Sequence, residues 1–320
     1  MVSLQMLLST LTFGFVATTV VGPISKDFKT WLNSYGYQDY NFDRSDIGAS
    51  GSYGGRQTAN EAISHRPIIF IHGNSDTAVA SNSNFTGWSA SISYFLQNGY
   101  TPAELYATTW GDNVLNHFAL RTHDCETVQR LRKFFEAVLK YTNADVVDVI
   151  SHSMGVTLAR KVIKGGNLQG TDKNCSIGAN LSNKVNVFIG IAGANYGLCL
   201  CNDIAAAMPE YLTCNTVNGF WSGRGNGNCT GFSPENIGQK IKYSEYLMDL
   251  NANPNLEGQK VYSMWSKADD LITNGCDVWG RSTALIPTSN DFVVFSNLTH
   301  MESKDSTVRT QFEFISKKSS

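Results

Sequence analysis

Short apolar runs alternate along this chain with segments in which apolar residues recur every three or four positions. Runs of β-branched and aromatic residues this short are typical of strands buried on both faces of a parallel sheet. Six such runs predict strands at residues 67–71, 105–109, 146–150, 185–192, 260–265 and 292–295. The longer spacing predicts helices at residues 88–96, 126–141, 156–164 and 306–316.

Strands that alternate with helices and are separated by glycine-rich turns predict an α/β fold, a mostly parallel sheet with helices on both faces. Segment 195–238 breaks this alternation, since it holds four of the seven cysteines and shows little periodicity. We expect it to be an insertion stapled by disulfides. The sequence leaves open whether it is a cap over a site or a surface excursion. Residues 35–64, rich in Gly, Ser, Asn and Tyr, are expected to wrap the surface.

The composition narrows the classes of function. The chain has 320 residues, of which 42% are hydrophobic, and a formal net charge of −2. This length allows one large domain with a sizeable buried core. Without a basic block, we do not expect the chain to bind nucleic acid or to be drawn electrostatically to an anionic membrane.

The first 21 residues are apolar and contain no charged side chain. We interpret residues 1–22 as a secretory signal peptide, although its start lacks the usual Lys or Arg. A transmembrane anchor is the rival interpretation, but serines and threonines dilute the stretch and it is barely long enough to span a bilayer. The mature chain, residues 23–320, is then expected to form one domain without a membrane span.

Cysteines and glycosylation sequons agree with export. Seven cysteines are many for a cytosolic enzyme, and an odd number leaves at least one thiol outside the internal disulfides. Cys199 and Cys201 have the spacing of a metal pair, but no histidine lies near them, so we expect disulfides and no metal site. Asn-x-Ser/Thr sequons begin at Asn84, Asn174, Asn180, Asn228 and Asn297. Together these features predict a secreted glycoprotein.

The most specific motif is the pentapeptide at residues 151–155, Ser-His-Ser-Met-Gly. It lies between a predicted strand and a predicted helix, which is the setting of a nucleophile elbow, with Ser153 as the nucleophile. Ser151 stands where this motif usually has glycine, and it is small enough to be tolerated. The alternative is an ordinary strand-to-helix turn that contains two serines.

A serine hydroxyl needs a base to become nucleophilic, and the base needs a carboxylate to orient it. Of the six histidines only His300 follows the elbow, in a loop after the last predicted strand. Asp269 and Asp270 follow the strand at 260–265 and are the best-placed acids, and the residues themselves do not decide between the two. Asp277 and Asp291 are less favourable choices.

An oxyanion hole needs two backbone N–H groups that point at one position. Met154, the residue after the predicted nucleophile, supplies one of them. Asn74 is expected to supply the other, because it follows His72 and Gly73 in the loop after the first predicted strand. His72 itself has either a direct role or a structural hydrogen bond.

Four motifs in one order resemble the class 2 lipases, which include small bacterial lipase A enzymes and secreted nematode lipase-like proteins. They are Ile-His-Gly-Asn at 71–74, Ser-His-Ser-Met-Gly at 151–155, Ser-Lys-Ala-Asp at 266–269 and Leu-Thr-His at 298–300. The resemblance spans residues 66–301. It implies an α/β-hydrolase fold, with Ser153, Asp269 and His300 as catalytic residues and with Asn74 and Met154 as the oxyanion donors.

The resulting prediction is a secreted carboxylic-ester hydrolase, first of all a triacylglycerol lipase that acts in lipid catabolism at a lipid–water interface. This chemistry requires no cofactor. A short-chain esterase, thioesterase or acyltransferase would use the same residues, and the sequence does not separate them. A non-catalytic lipid-binding protein is a further alternative, but it predicts an incomplete set of catalytic residues.

Overall fold

The computed structural model describes residues 20–225, 228–230 and 241–317. Most of the predicted signal peptide and part of the predicted insertion therefore lie outside the described residues. The strands are β1 (Ser52–Tyr53), β2 (Ile68–Ile71), β3 (Leu105–Thr108), β4 (Val147–His152), β5 (Asn167–Gln169), β6 (Asn174–Ser176), β7 (Val185–Ile191), β8 (Lys260–Ser266), β9 (Asp277–Val278), β10 (Arg281–Ser282) and β11 (Asp291–Phe295). The helices are α1 (Lys26–Ser34), α2 (Ser89–Gln97), α3 (Cys125–Thr142), α4 (Met154–Lys164), α5 (Leu200–Ala207), α6 (Glu245–Ala252), α7 (Glu302–Asp305) and α8 (Val308–Ser316).

In the described part of the chain, seven strands form one sheet in the order β1-β3-β2-β4-β7-β8-β11. Only β1 runs antiparallel to its neighbour, and every other pair is parallel. Helices α1, α3, α4 and α6 bury their apolar residues against one face of the sheet, and α2 and α8 cover the other. The predicted α/β architecture is therefore confirmed, including all six predicted strands and all four predicted helices.

The N-terminal region differs from its prediction. Residues 35–64 do more than wrap the surface, because Phe42 and Tyr53 are buried and β1 extends the sheet next to β3. Helix α1 was not predicted from the sequence. The side chain of Ser25 caps its first turn by accepting a hydrogen bond from the N–H of Phe28. Helix α1 packs on α3 and completes that face of the core.

Disulfides fix the insertion, as predicted. The described residues contain the pairs Cys199–Cys229 and Cys201–Cys214 within it, and Cys125–Cys175 ties the start of α3 to β6. Cys276 is the remaining thiol, and it is buried. Helix α5 begins directly after Cys199 and contains Cys201 in its first turn.

The parallel strands bring several loops to one edge of the sheet. The loops after β2, β4, β8 and β11 all leave the carboxyl ends of these strands, where sites in such sheets lie. None of the helices in the described ranges is long and apolar enough to cross a membrane.

Candidate active site

Ser153 occupies a strained turn between β4 and α4. Its backbone has φ 55° and ψ −130°, a left-handed conformation that is unfavourable for a residue with a side chain. The N–H of Ser153 donates to the carbonyl of Ile191 at 2.9 Å and anchors the turn to β7. Gly155 permits close packing of α4 on the sheet, since a Cβ there would lie 2.3 Å from the His72 carbonyl oxygen. The turn therefore has the geometry of a nucleophile elbow.

Serine is accommodated at position 151 because its hydroxyl has a partner. Ser151 is buried in β4, and its Oγ donates to the carbonyl of Ile189 at 3.0 Å on the neighbouring strand. A buried hydroxyl without such a bond would cost about 1–3 kcal/mol. The serine that stands in place of the usual glycine is therefore a buried polar residue whose hydroxyl is hydrogen-bonded within the sheet.

The ring of His300 is oriented by Asp269. Its Nδ1 lies 2.7 Å from Asp269 Oδ2, and the other carboxylate oxygen accepts the N–H groups of Leu271 at 3.0 Å and Ile272 at 2.7 Å. Burial raises the pKa of Asp269, but the bond from His300 and the two amides outweigh it and leave the pKa below its usual value. His300 Nε2 is buried and has no hydrogen-bond partner within the described ranges. The imidazole therefore presents a free nitrogen while its other nitrogen is held by a carboxylate.

The backbone of His300 is held as well as its ring. Asp270 Oδ1 accepts the N–H of His300 at 2.8 Å, and His152 Nε2 lies 3.1 Å from the carbonyl of His300. Burial lowers the pKa of His152 well below its usual value, so the ring is neutral and donates through Nε2. The two neighbouring aspartates thus have different partners: Asp269 contacts the ring, and Asp270 contacts the main chain.

Ser266, the last residue of β8, joins the loop that carries the acid to the loop that carries the base. Its Oγ accepts the N–H of Ala268 at 3.1 Å and the N–H of Leu298 at 3.0 Å. One hydroxyl therefore fixes the separation of Asp269 and His300. The sequence contained Ser266 within a family motif but gave no local sign of this second contact.

On the other side of Ser153, the loop after β2 lies directly against the turn. A Cβ built on Gly73 would lie 2.8 Å from Ser153 Cβ and 3.4 Å from its Oγ. The backbone N–H groups of Asn74 and Met154 have no acceptor within the described ranges. Glycine at position 73 thus lets the loop after β2 approach Ser153 more closely than any other residue would allow.

The side chain of Asn74 fixes this loop from outside. Asn74 Nδ2 donates to the carbonyl of Phe118 at 2.9 Å, and its Oδ1 accepts from Arg121 Nη1 at 2.9 Å. The guanidinium of Arg121 also contacts Ser75 Oγ and the carboxylate of Asp112. Segment 112–121 was not identified from the sequence, because these contacts join residues about 45 positions apart.

His72 has a structural role in the same loop, one of the two predicted for it. Its Nδ1 donates to the carbonyl of Gly73 at 2.7 Å, and its Nε2 accepts the N–H of Trp110 at 3.0 Å. The indole N–H of Trp110 donates back to the His72 carbonyl at 2.9 Å. Burial lowers the pKa of His72 to about 4, so the ring stays neutral and keeps both bonds.

A buried lysine links the two sides of the site. The ammonium of Lys304 contacts Asp305 at 2.7 Å and the carbonyl of Gly87, and it lies 3.6 Å from Asp76, two residues after Asn74. The loop of His300 and the loop of Asn74 therefore share one ionic anchor.

No group of three or more His, Cys, Asp or Glu that could hold a metal ion occurs among the described residues.

Solved structures similar to this chain include lipases at low sequence identity. The mature form of Bacillus licheniformis lipase BlEst2 is 12% identical with a TM-score of 0.49, and the match covers 82% of this chain and 97% of that one. A Paleococcus ferrophilus monoacylglycerol lipase is 12% identical with a TM-score of 0.43, with 82% and 96% covered. Aspergillus fumigatus lipase B is 10% identical with a TM-score of 0.44, with 79% and 49% covered.

The family model of the lipases of class 2 matches this chain over residues 65–313. That range contains the elbow, the acid, the histidine and the loop after β2, and it covers most of the described residues. The parallel sheet, the strained serine turn and this match agree with each other. The chain belongs to the class 2 lipase family, and it is a carboxylic-ester hydrolase of the α/β-hydrolase fold.

Proposed function

We propose that this protein is a serine hydrolase that cleaves triacylglycerol-type esters through an acyl-enzyme. The observation that carries the proposal is the arrangement of His300, whose Nδ1 binds a buried carboxylate while its Nε2 is free. Ser153 lies in an elbow at the same edge of the sheet, within a strained turn, and the residue is half-buried. These are the three roles that a Ser-His-Asp mechanism requires.

In the proposed reaction, Ser153 Oγ attacks the ester carbonyl carbon and its proton passes to His300 Nε2. Asp269 stabilises the imidazolium that forms. The N–H groups of Asn74 and Met154 donate to the carbonyl oxygen, which carries the negative charge of the tetrahedral intermediate. The bond to the leaving alcohol then breaks, and the alcohol takes the proton from His300. Water, deprotonated by His300, attacks the acyl-enzyme, and the acid is released with Ser153 regenerated.

Secretion and glycosylation form part of the proposal, with residues 1–22 as a signal peptide and 23–320 as the mature domain. Three disulfides support an oxidising compartment. All five sequon asparagines are exposed, which glycosylation requires: Asn84, Asn174, Asn180, Asn228 and Asn297. Both interpretations of the insertion at 195–238, a cap over the site and a surface excursion, stay predictions.

A non-catalytic lipid-binding protein is less well supported, because an intact, buried Asp269–His300 pair has no use in such a protein. Esterase, thioesterase and acyltransferase activities use the same residues and differ in the acyl substrate. Comparing turnover of emulsified long-chain and soluble short-chain esters separates the lipase proposal from these.

The test uses secreted, disulfide-intact protein with Ser153→Ala and the matched control Ser151→Ala. Hydrolysis of tributyrin and triolein is measured for all three proteins. We expect Ser153→Ala to lose at least about 10⁴-fold in kcat, and Ser151→Ala to keep its activity. Turnover that survives in Ser153→Ala excludes the mechanism. If the folded wild-type protein hydrolyses no ester, the lipid-binding alternative is favoured.

A further inference from the structure

A buried histidine that has no part in the proposed reaction lies between the insertion and the elbow helix. His123 is fully buried in the loop before α3. Its backbone N–H and its Nδ1 contact the carbonyl oxygen of Asn218 at 3.0 Å and 2.7 Å. Its Nε2 lies 2.6 Å from Thr157 Oγ1, in the first turn of α4. One ring therefore joins a residue of the insertion to the helix that begins at Met154.

The proton of the His123 ring is located by its partners. Because a carbonyl oxygen only accepts, Nδ1 carries the proton and donates to Asn218, and Nε2 accepts from the hydroxyl of Thr157. Burial lowers the pKa of His123 to about 4, so the ring is neutral at neutral pH and keeps both bonds. The Thr157 hydroxyl also lies 3.0 Å from the carbonyl oxygen of Met154, so its one proton is within reach of both acceptors. The contact of Thr157 with Met154 therefore depends on His123.

Two aromatic rings hold the ring of His123 in place. Tyr246 stacks on it with 4.1 Å between centroids, and Phe220 meets it edge-on at 4.8 Å. The hydroxyl of Tyr246 also donates to the carbonyl of Thr157 at 2.9 Å, which gives the same residue of α4 a second bond. All of these side chains are buried. Hydrogen bonds in such surroundings are stronger than at the surface, and a polar group left unpaired there is costly.

On the insertion side, the residue that contacts His123 is itself firmly held. Asn218 is fully buried, and its Nδ2 donates to the carbonyl of His123 at 3.2 Å. The N–H of Asn218 donates to Asn215 Oδ1 at 2.8 Å. The disulfide Cys201–Cys214 ends just before Asn215. Residues 214–218 of the insertion are therefore held against His123 by a disulfide and by hydrogen bonds in both directions.

The elbow support, here defined as Asn218, His123 and Thr157, connects the insertion to α4. We propose that His123 is a positioning residue, which through this connection fixes Ser153 and the N–H of Met154 at the start of α4. The inference rests on the proposed function and gives residues 214–218 of the insertion a fixed role in catalysis. Its physical basis is that the nucleophile and one oxyanion donor both lie at this helix start, where a small displacement lowers the rate steeply.

The experiment compares Thr157→Val with the matched control Thr142→Val. Thr142 is buried at the opposite end of α3 from His123, and its Oγ1 donates to the carbonyl of Val138 at 2.7 Å. Each variant removes one buried hydroxyl and keeps the shape of the side chain. We expect Thr157→Val to lose about 10- to 100-fold in kcat on soluble p-nitrophenyl acetate with little change in KM, and Thr157→Ser to recover most of the rate. Thr142→Val should lower the melting temperature by a similar amount and keep its kcat.

A second comparison shows whether His123 acts through Thr157. His123→Phe keeps a ring in the aromatic stack and removes both hydrogen bonds. If the two residues act as one unit, the double variant loses no more kcat than the larger single loss. Hydrogen exchange of the peptide 153–158 gives a readout that is independent of turnover. Exchange should be at least about tenfold faster in Thr157→Val and in His123→Phe than in wild type, and unchanged in Thr142→Val.

Three results would overturn the proposal: wild-type kcat in Thr157→Val, a loss of kcat in Thr142→Val as large as that in Thr157→Val, or losses in His123→Phe and Thr157→Val that multiply in the double variant. Failure of the proposed function is distinguishable, since a folded wild-type protein without ester turnover leaves the exchange comparison in place. Unchanged exchange would then remove the elbow support as well. Faster exchange in Thr157→Val and His123→Phe alone would keep it while the hydrolase proposal fails.

Discussion

The two sides of Ser153 are held in place by different means. On the histidine side, residues 266–270 and 298–304, the side chain and both backbone polar groups of His300 are bonded to neighbouring residues of the site. On the oxyanion side, residues 72–76 and 112–121, the loop of Asn74 is bonded through a side chain to a segment whose apolar residues face solvent.

This difference suggests a division of tasks. A base must keep one tautomer and one orientation through every turnover, and the buried bonds of the histidine side enforce both. The proposed oxyanion donors need accuracy of a fraction of an ångström, yet the side chain of Asn74 is supported through Arg121 by a segment whose apolar residues are exposed. The oxyanion side is therefore the part of the site whose support lies nearer to solvent.

The largest expected effect separates the two neighbouring aspartates of the histidine side. Asp269→Asn removes the carboxylate that holds the ring of His300, and we expect kcat to fall by about 10³- to 10⁴-fold. Asp270→Asn keeps an oxygen that can accept the N–H of His300, and we expect a loss of no more than about tenfold. Steady-state kinetics on a soluble ester measures both. Equal losses in the two variants would show that the ring contact has no special importance.

A smaller effect tests the oxyanion side. Arg121→Gln releases Asn74 Oδ1 and Ser75, and we expect kcat to fall by about 100-fold with little change in KM, because a displaced oxyanion donor weakens transition-state binding. Arg121→Lys should restore part of the rate.

The control for this variant is Arg132→Gln, which removes a buried arginine that bonds to the carbonyls of Val162 and Ala179 away from the site. It should lower the melting temperature without a selective loss of kcat. If Arg121→Gln loses stability and rate only as much as Arg132→Gln does, Arg121 has no positioning role.

The smallest effect concerns the pH dependence of stability. Burial lowers the pKa of His72 from 6.5 to about 4, so the unfolded chain takes up the proton first as the pH falls. Stability is then retained above about pH 6.5 and lost between pH 6.5 and 4, and His72 accounts for about 2 kcal/mol of that loss at pH 5. Urea unfolding of His72→Gln should show a shallower pH dependence than wild type. An unchanged slope in His72→Gln would refute the assignment.

The chain's periodicity was sufficient to predict the sheet, because strands buried on both faces read as apolar runs. Helix α1 could have been found, since Ser25 precedes Phe28 and Leu32 at helical spacing. Strand β1 has two residues and is too short for any periodic signal. Ser153, the two aspartates and His300 could be placed at one edge of the sheet, because each of them follows the end of a predicted strand.

Side-chain direction was not predictable from the residues alone. Asp269 and Asp270 are chemically identical neighbours, and the turn after β8 decides which faces the histidine by giving the amides of Leu271 and Ile272 to Asp269. The contact between Asn74 and Arg121 depends on how two loops fold together, which leaves no local pattern in either segment.

The most direct test of the central claim is to find where a fluorophosphonate probe binds covalently. The probe reacts with a serine only when an adjacent base activates it. Folded, disulfide-intact protein is labelled, digested and mapped by mass spectrometry beside Ser153→Ala. We predict one adduct, on Ser153, and none in the variant. Labelling of another residue, or no labelling of the folded wild-type protein, would contradict the account of Ser153, His300 and Asp269 as one catalytic unit.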